Sequence, residues 1–368
     1  MRILQLIASR NFAGSEQFVL TLSLELQKRG HEIFIGVKPG GILRSIYEKH
    51  GLNVIDEKMV SIFNTSALSR FVKKHKIDIV HAHLTTAVRV AVKIGFKTGV
   101  PVVAHAHIFK NDKAYVKSAE IGALIANSKT TSDFYLNTVG IPKEKVLLVY
   151  NSTRVQEHVV ASMDKEDVRR ELVKEFSVND DAQFISMLGR VVPQKGQDTL
   201  LQALVTVLQK HKNIHTLIAG PTKRKPSFVR NLAKFAKDNG ISENVHFLGL
   251  RTDIEHIIRG SAIHVAPSRF EPFGLVVIEG MMLRTPVIGT SVDGIAEILN
   301  EQNIGMLISP EDSDAFATSI LKLLDDEEFA KNMAENAYKN AMSRFTPAIM
   351  TDKIEEIYQD LLIRDSSR

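Results

Sequence analysis

The chain has 368 residues, 44% hydrophobic and 24% charged, which allows two globular domains of ordinary size. It has no cysteine, which excludes disulfides, thiolate zinc sites and cysteine nucleophiles. The net charge of +5 conceals a split: residues 1–155 carry +11, from 22 Lys/Arg against 11 Asp/Glu, and the remainder carries −6. Two halves of opposite sign suggest two domains with different tasks. A basic half suits phosphates, nucleic acid or an anionic membrane, but an aromatic platform or recognition motif for nucleic acid is missing. No apolar run reaches the length of a membrane span. Met1–Ala8 reads as a first strand, not as a signal peptide with a basic leader and cleavage site. The expectation is a soluble cytoplasmic protein.

Short β-branched runs alternate with helical spacing through residues 1–155. Arg2–Ala8, His31–Val37, Ile77–His83, Pro101–His107, Ile121–Ala126 and Val146–Tyr150 read as strands. Their continuous apolar character indicates parallel strands covered on both faces. Ser15–Arg29, Ala67–Lys76 and Thr85–Lys97 have helical spacing, so the pattern is that of a doubly wound sheet. Gly14 sits in the first strand-to-helix turn. His81/His83 and His105/His107 each straddle one residue, so each pair shares a strand face. No carboxylate accompanies them, so no metal is expected there. Ser128 reads as a helix cap.

Asn151 to about Asp181 is highly charged and reads as a connection holding one helix near Lys165–Phe176. Further strands follow at Phe184–Leu188, Thr216–Ala219, Val245–Leu248, Ala262–Ala266, Val287–Gly289 and Met306–Ile308. Gly189-Arg190 and Pro193-Gln194-Lys195-Gly196 follow the first of these. Two cations at a strand-to-helix turn suit a diphosphate. Ala262–Ala266 runs into Pro267-Ser268-Arg269-Phe270-Glu271-Pro272-Phe273-Gly274, and a helix then carries Glu279. Glu271 lies at the carboxyl end of the strand, where ligands bind in open α/β sheets. Two carboxylates repel phosphate itself, so hydroxyls are their expected partners. Asp312-Ser313-Asp314 is the one D-x-D in the chain and reads as a helix start.

The Glu271…Glu279 spacing, the Gly189-Arg190…Lys195-Gly196 turn and the Thr285-Pro286-Val287-Ile288 strand together resemble retaining GT-B glycosyltransferases of family 4 (group 1). The resemblance spans almost the whole chain. It implies an α/β fold of two Rossmann-like domains facing across a cleft. The domains would be residues 1–155 on the acceptor side and 156–346 on the nucleotide-sugar side, with 347–368 a helix crossing back to the first. It implies transfer of a sugar, with retention, from a UDP-linked donor (GDP being the main competitor) to a hydroxyl of a glycan or lipid-linked acceptor. Synthesis of bacterial surface polysaccharide or lipopolysaccharide is the expected setting. The implied catalytic residues are His107, Arg190, Lys195 and Glu271. Donor contacts would come from Gly14, Arg190, Lys195, Arg251, Glu271, Phe273, Gly274, Leu275 and Glu279. Glu279 would hold ribose hydroxyls, Glu271 and His107 the donor sugar, and the leaving phosphate would take the acceptor's proton. No cofactor and no metal are implied. At Ser15 the chain departs from the second glycine of the family's first loop.

Two other classes share these features: a nucleotide-sugar epimerase of the same fold, and an inactive nucleotide-sugar-binding protein. The intact Arg190, Lys195, Glu271 and Glu279 set argues against the second. The basic first half, with Lys73, Lys74 and Lys76 and with Lys110, Lys113 and Lys117 after the His107 strand, suggests peripheral docking on the inner, anionic face of the plasma membrane.

Overall fold

The computed structural model describes residues 1–56, 60, 65–153, 155 and 160–366. The connection expected from Asn151 to about Asp181 lies partly outside the described residues, but its helix forms at Lys165–Phe176. The chain divides into two compact units, Met1–Arg154 with Phe345–Arg368, and Val155–Arg344.

The apolar runs of the first unit become β1 (Arg2–Ile7), β2 (Glu32–Val37), β3 (Asn53–Val54), β4 (Ile79–His83), β5 (Val102–Ala106), β6 (Gly122–Ala126) and β7 (Val146–Leu148). All pair in parallel in the order β3-β2-β1-β4-β5-β6-β7. β3 went unpredicted because two residues carry no periodicity; it pairs at the edge with Phe34 and Ile35 of β2. β1, β2 and β4–β6 alternate between two buried cores, one containing Leu4, Leu6, Val80 and Val102 and the other Ile3, Ile7, Ile79 and Val103. Burial on both faces explains their unbroken hydrophobicity. Ser128 caps the helix Lys129–Asp133, accepting from the Thr131 amide.

The second unit contains β8 (Gln183–Leu188), β9 (Ile214–Ala219), β10 (Val245–Gly249), β11 (Ile263–Ala266), β12 (Val287–Thr290) and β13 (Met306–Ile308). Their order is β10-β9-β8-β11-β12-β13, again all parallel. Asp312 starts the helix Ser313–Asp325 by accepting from the Ala315 amide, as expected of the D-x-D segment. Each sheet reverses its winding once, between β1 and β4 in one unit and between β8 and β11 in the other. Ligands of open α/β sheets bind outside the carboxyl strand ends at such a reversal.

The last helix, Pro347–Ser366, belongs to the first unit. Met350, Ile354, Tyr358 and Leu361 recur at helical spacing and join the core with Phe18 and Ile125. Arg29 pairs with Asp352 and Glu355, His31 also meets Glu355, and Tyr358 meets His81. A sequence-distant segment is thereby sealed onto β1 and β4 by apolar burial and ion pairs together.

Candidate functional site

In the second unit three adjacent strands, β8, β11 and β12, deliver three turns to one sheet edge. The first turn carries Arg190 and Lys195. Gly196, at φ +74°, ends it and opens the helix Gln197–Lys210. A β-carbon on Gly196 would lie 1.9 Å from the Pro267 carbonyl oxygen, so only glycine lets this turn approach the loop after β11. The Lys195 side chain lies over Gly189 and makes an ion pair with Glu271. Arg190 is exposed, and its carbonyl accepts from the Gln197 side chain.

The second turn, Pro267–Gly274, is tied to the first by Arg269. Its amide donates to the Gln194 carbonyl at 2.9 Å. Its guanidinium grips both Asp198 oxygens, at 2.8 and 2.9 Å, and reaches the Pro193 carbonyl. Such forked pairing holds direction as well as distance. Phe273 is buried, and Gly274, at φ +110°, precedes the helix Leu275–Met282. Glu279, on the second turn of that helix, is 4% exposed between Ile278 and Gly280, which are both buried. A carboxylate in such a place needs hydrogen-bonding partners to stay charged.

The third turn follows β12. Asp293 Oδ2 accepts from the Glu271 amide at 3.1 Å, and the Gly294 amide donates to the Glu271 carbonyl at 3.1 Å. Beneath the turns His264 is buried and bonds Ser186 Oγ through Nδ1 at 2.9 Å; burial lowers its pKa to about 4. Arg251, expected near the nucleotide, pairs with Glu175 and Asp253, and those hydrogen bonds raise its pKa. Sequence reasoning thus gathered Arg190, Lys195, Glu271, Phe273, Gly274, Leu275 and Glu279 on two neighbouring turns. It missed Arg269, Asp198 and the contact of Asp293. The only local signal was an aspartate where the third turn requires a positive φ.

In the first unit the four histidines form one cluster on one sheet face. His81, His83 and His105 are wholly buried, and His107 is half-buried at the rim just past β5. Tyr358 meets His81 Nδ1 at 2.6 Å. Gln5 Oε1 accepts from His83 Nε2 at 2.8 Å, so His83 Nδ1 is an acceptor, and it takes the bond from His107 Nε2 at 3.1 Å. In neutral His107 this leaves Nδ1 as an acceptor. Burial lowers the pKa of His81 and His107 to about 3 and holds His83 and His105 well below the ordinary value. The ring nitrogens of His81, His83 and His105 lie within 4.8 Å of one another. Both nitrogens of His83 already have partners, so a metal there would have to break the bond to Gln5 or to His107. Gly14 begins the helix Gly14–Lys28, and Glu16 folds back to accept from the Ala13 amide.

Among the described residues no helix is long and apolar enough to cross a membrane. Residues 168–340 match the family model for glycosyl transferases group 1, and residues 12–157 match that for glycosyltransferase family 4. An uncharacterized glycosyltransferase of Methanocaldococcus jannaschii is 24% identical over 87% of this chain and 87% of its own. A lipopolysaccharide core biosynthesis mannosyltransferase of Rhizobium leguminosarum bv. viciae is 29% identical over 49% of this chain and 51% of its own. Among solved structures, Anabaena HepE in complex with UDP and glucose is similar with a TM-score of 0.83 and 22% identity, over 96% of this chain and 98% of that one. With two Rossmann-like units and both family models matched in sequence order, the chain belongs to the GT-B glycosyltransferases of group 1, family 4.

Proposed function

We propose that the protein moves a sugar, with retention, from a UDP-sugar to a hydroxyl of a glycan or lipid-linked acceptor in the synthesis of a bacterial surface polysaccharide or lipopolysaccharide. The observation that carries this reading is the meeting of Lys195 and Glu271 beside the amino end of the helix Leu275–Met282. A cation and a helix N-terminus stabilise the charge that develops on a departing diphosphate, and the carboxylate accepts from sugar hydroxyls. Arg190 adds a second cation, so the proposed chemistry requires no metal. Neutral His107 offers Nδ1 to a donor hydroxyl. The leaving phosphate takes the acceptor's proton on the same face. The relative named for lipopolysaccharide core synthesis and the UDP-bound neighbour support the setting and the nucleotide. Product analysis separates this reading from epimerisation. Transfer gives a glycosylated acceptor and nucleoside diphosphate, whereas an epimerase converts the donor with no acceptor present.

Glu279→Ala should weaken donor binding more than it slows the chemical step. The motivation is a buried carboxylate one helical turn away from the proposed reacting end. Loss of a charge-assisted bond to ribose costs about 1.5–3 kcal/mol. Calorimetry with the nucleotide checks this, and an unchanged affinity refutes the ribose role.

We also propose that the first unit docks on an anionic membrane surface. Lys110, Lys113 and Lys117 follow β5 beside exposed Ile108, and Lys73, Lys74 and Lys76 add charge elsewhere on the unit. Each engaged cation contributes about 1 kcal/mol, fading within a Debye length of about 8 Å. Flotation should recover the protein with acidic vesicles at low salt, less at high salt, and less after charge reversal of Lys110, Lys113 and Lys117. Equal recovery with neutral and acidic vesicles leaves a soluble acceptor as the alternative.

A further inference from the structure

Glu271 is gripped by its backbone as well as by its side chain. Its amide donates to Asp293 Oδ2 and its carbonyl accepts from the Gly294 amide, each at 3.1 Å. Two successive residues of the turn after β12 therefore hold both polar backbone groups of one residue in the loop after β11. This grip demands an unusual backbone. Asp293 has φ +37°, a region that side-chain-bearing residues seldom enter and that aspartate tolerates better than most. Gly294 has no room for a side chain, since a β-carbon there would lie 2.3–2.7 Å from the Phe273 backbone. Glycine would satisfy the strained φ at position 293 at lower cost, but it would have no carboxylate to reach Glu271. Strained conformations persist where the surroundings hold them in place, and they concentrate at functional sites.

We infer that Asp293 is a positioning residue whose carboxylate fixes the Glu271 backbone so that the Glu271 side chain meets Lys195. The inference rests on the reading of Lys195 and Glu271 as donor-site residues. The arrangement is not one that favours Asp293 itself. Partial burial disfavours its charge and the Glu271 carboxylate adds repulsion, while the Glu271 amide only partly offsets them, so its pKa is raised. The carboxylate is kept despite that cost, at the one place where it reaches the Glu271 amide. The ties of Arg269 to Asp198, Pro193 and Gln194 hold the other side of the same loop, so the loop is anchored from both neighbouring strands.

The test uses the full chain and three substitutions: Asp293→Gly, Asp293→Ala and Asp293→Asn. Glycine suits the positive φ, so Asp293→Gly should keep the wild-type melting temperature within about 2 °C. Its Glu271 amide, read by hydrogen exchange with selectively labelled glutamate, should exchange at least roughly tenfold faster as the local bond is lost. Turnover of the best nucleotide sugar should fall by a comparable factor at saturating donor, while an effect on stability alone would leave it unchanged. Asparagine keeps an acceptor oxygen and tolerates the backbone, so Asp293→Asn should restore protection and most of the turnover, and Asp293→Ala should restore neither. Unchanged exchange at Glu271 in Asp293→Gly overturns the inference, as does wild-type turnover in that variant. If the wild type turns over no nucleotide sugar, the proposed function fails, and the exchange result still decides whether Asp293 holds Glu271.

Discussion

Replacing Lys195 with alanine should slow sugar transfer roughly 100- to 1,000-fold, about 2.7–4 kcal/mol of transition-state stabilisation, the range for removing one donor aimed at developing negative charge. Lys195 is held for this task. Its turn is pinned through Gly196 against Pro267 and through Arg269 to Asp198. Its counter-ion is Glu271. A bound diphosphate would compete for the same ammonium, freeing Glu271 for sugar hydroxyls. Arg190→Ala should lose a similar factor, and the double variant less than the product, because both cations would act on one phosphate. Both side chains of the pair are less than a fifth exposed, so Lys195→Ala should also lower the melting temperature, and turnover is compared well below it. Wild-type turnover should continue in excess EDTA. Loss of turnover restored by magnesium or manganese would reject the metal-free mechanism, and a Lys195→Ala enzyme within threefold of wild type would reject the role of Lys195.

Acid should unfold the first unit before the second. His81, His83 and His105 are wholly buried and stay neutral in the folded state far below the ordinary histidine range. In the unfolded chain they take up protons near pH 6.5. The unfolded state therefore binds more protons below that pH, and stability falls as pH falls. The contribution is fully present above about pH 6.5 and is lost below it at about 1.4 kcal/mol per histidine per pH unit. With His107, whose pKa burial also lowers to about 3, four such groups remove about 5 kcal/mol between pH 7 and 5.5. The depressed carboxylates of this unit, Asp112 and Glu355, titrate below that window. Among the described residues the second unit has one wholly buried histidine, His264, and two partly buried ones with lowered pKa, His215 and His246, so its loss should be smaller. Hydrogen exchange followed by peptide should show protection lost first across β1, β4 and β5. His105→Gln should reduce the pH slope by about one proton. Equal acid sensitivity of both units would contradict the neutral burial of the cluster.

The parts of this molecule that were legible in the sequence are those decided locally. Strands β1, β2, β4–β6, β8, β9, β11 and β12 announced themselves because both faces are buried, so no polar alternation interrupts them. The Glu271 loop and the helix carrying Glu279 are contiguous, so their spacing could be read directly. The final helix was legible in the sequence, but not that its Tyr358 would meet His81. The hidden contacts join separate strands. Arg269 finds Asp198 because β8 and β11 are neighbours, and Asp293 finds Glu271 because β11 and β12 are. Strand order is set by packing of the whole sheet and leaves no mark in a short window. Arg251 is the converse case: a cation that looked available in the sequence is engaged by Glu175, 76 residues away, and by Asp253.

The most direct measurement of the central claim is thermal stabilisation of the wild type and of an Arg190→Ala/Lys195→Ala double variant by a panel of UDP- and GDP-sugars. A ligand at a hundred times its Kd stabilises the folded state by about 2.7 kcal/mol. At least one nucleotide sugar should raise the wild-type melting temperature by several degrees and leave the double variant unmoved. No shift with any member of the panel, or an equal shift in the double variant, would contradict the assignment of this site to the donor diphosphate.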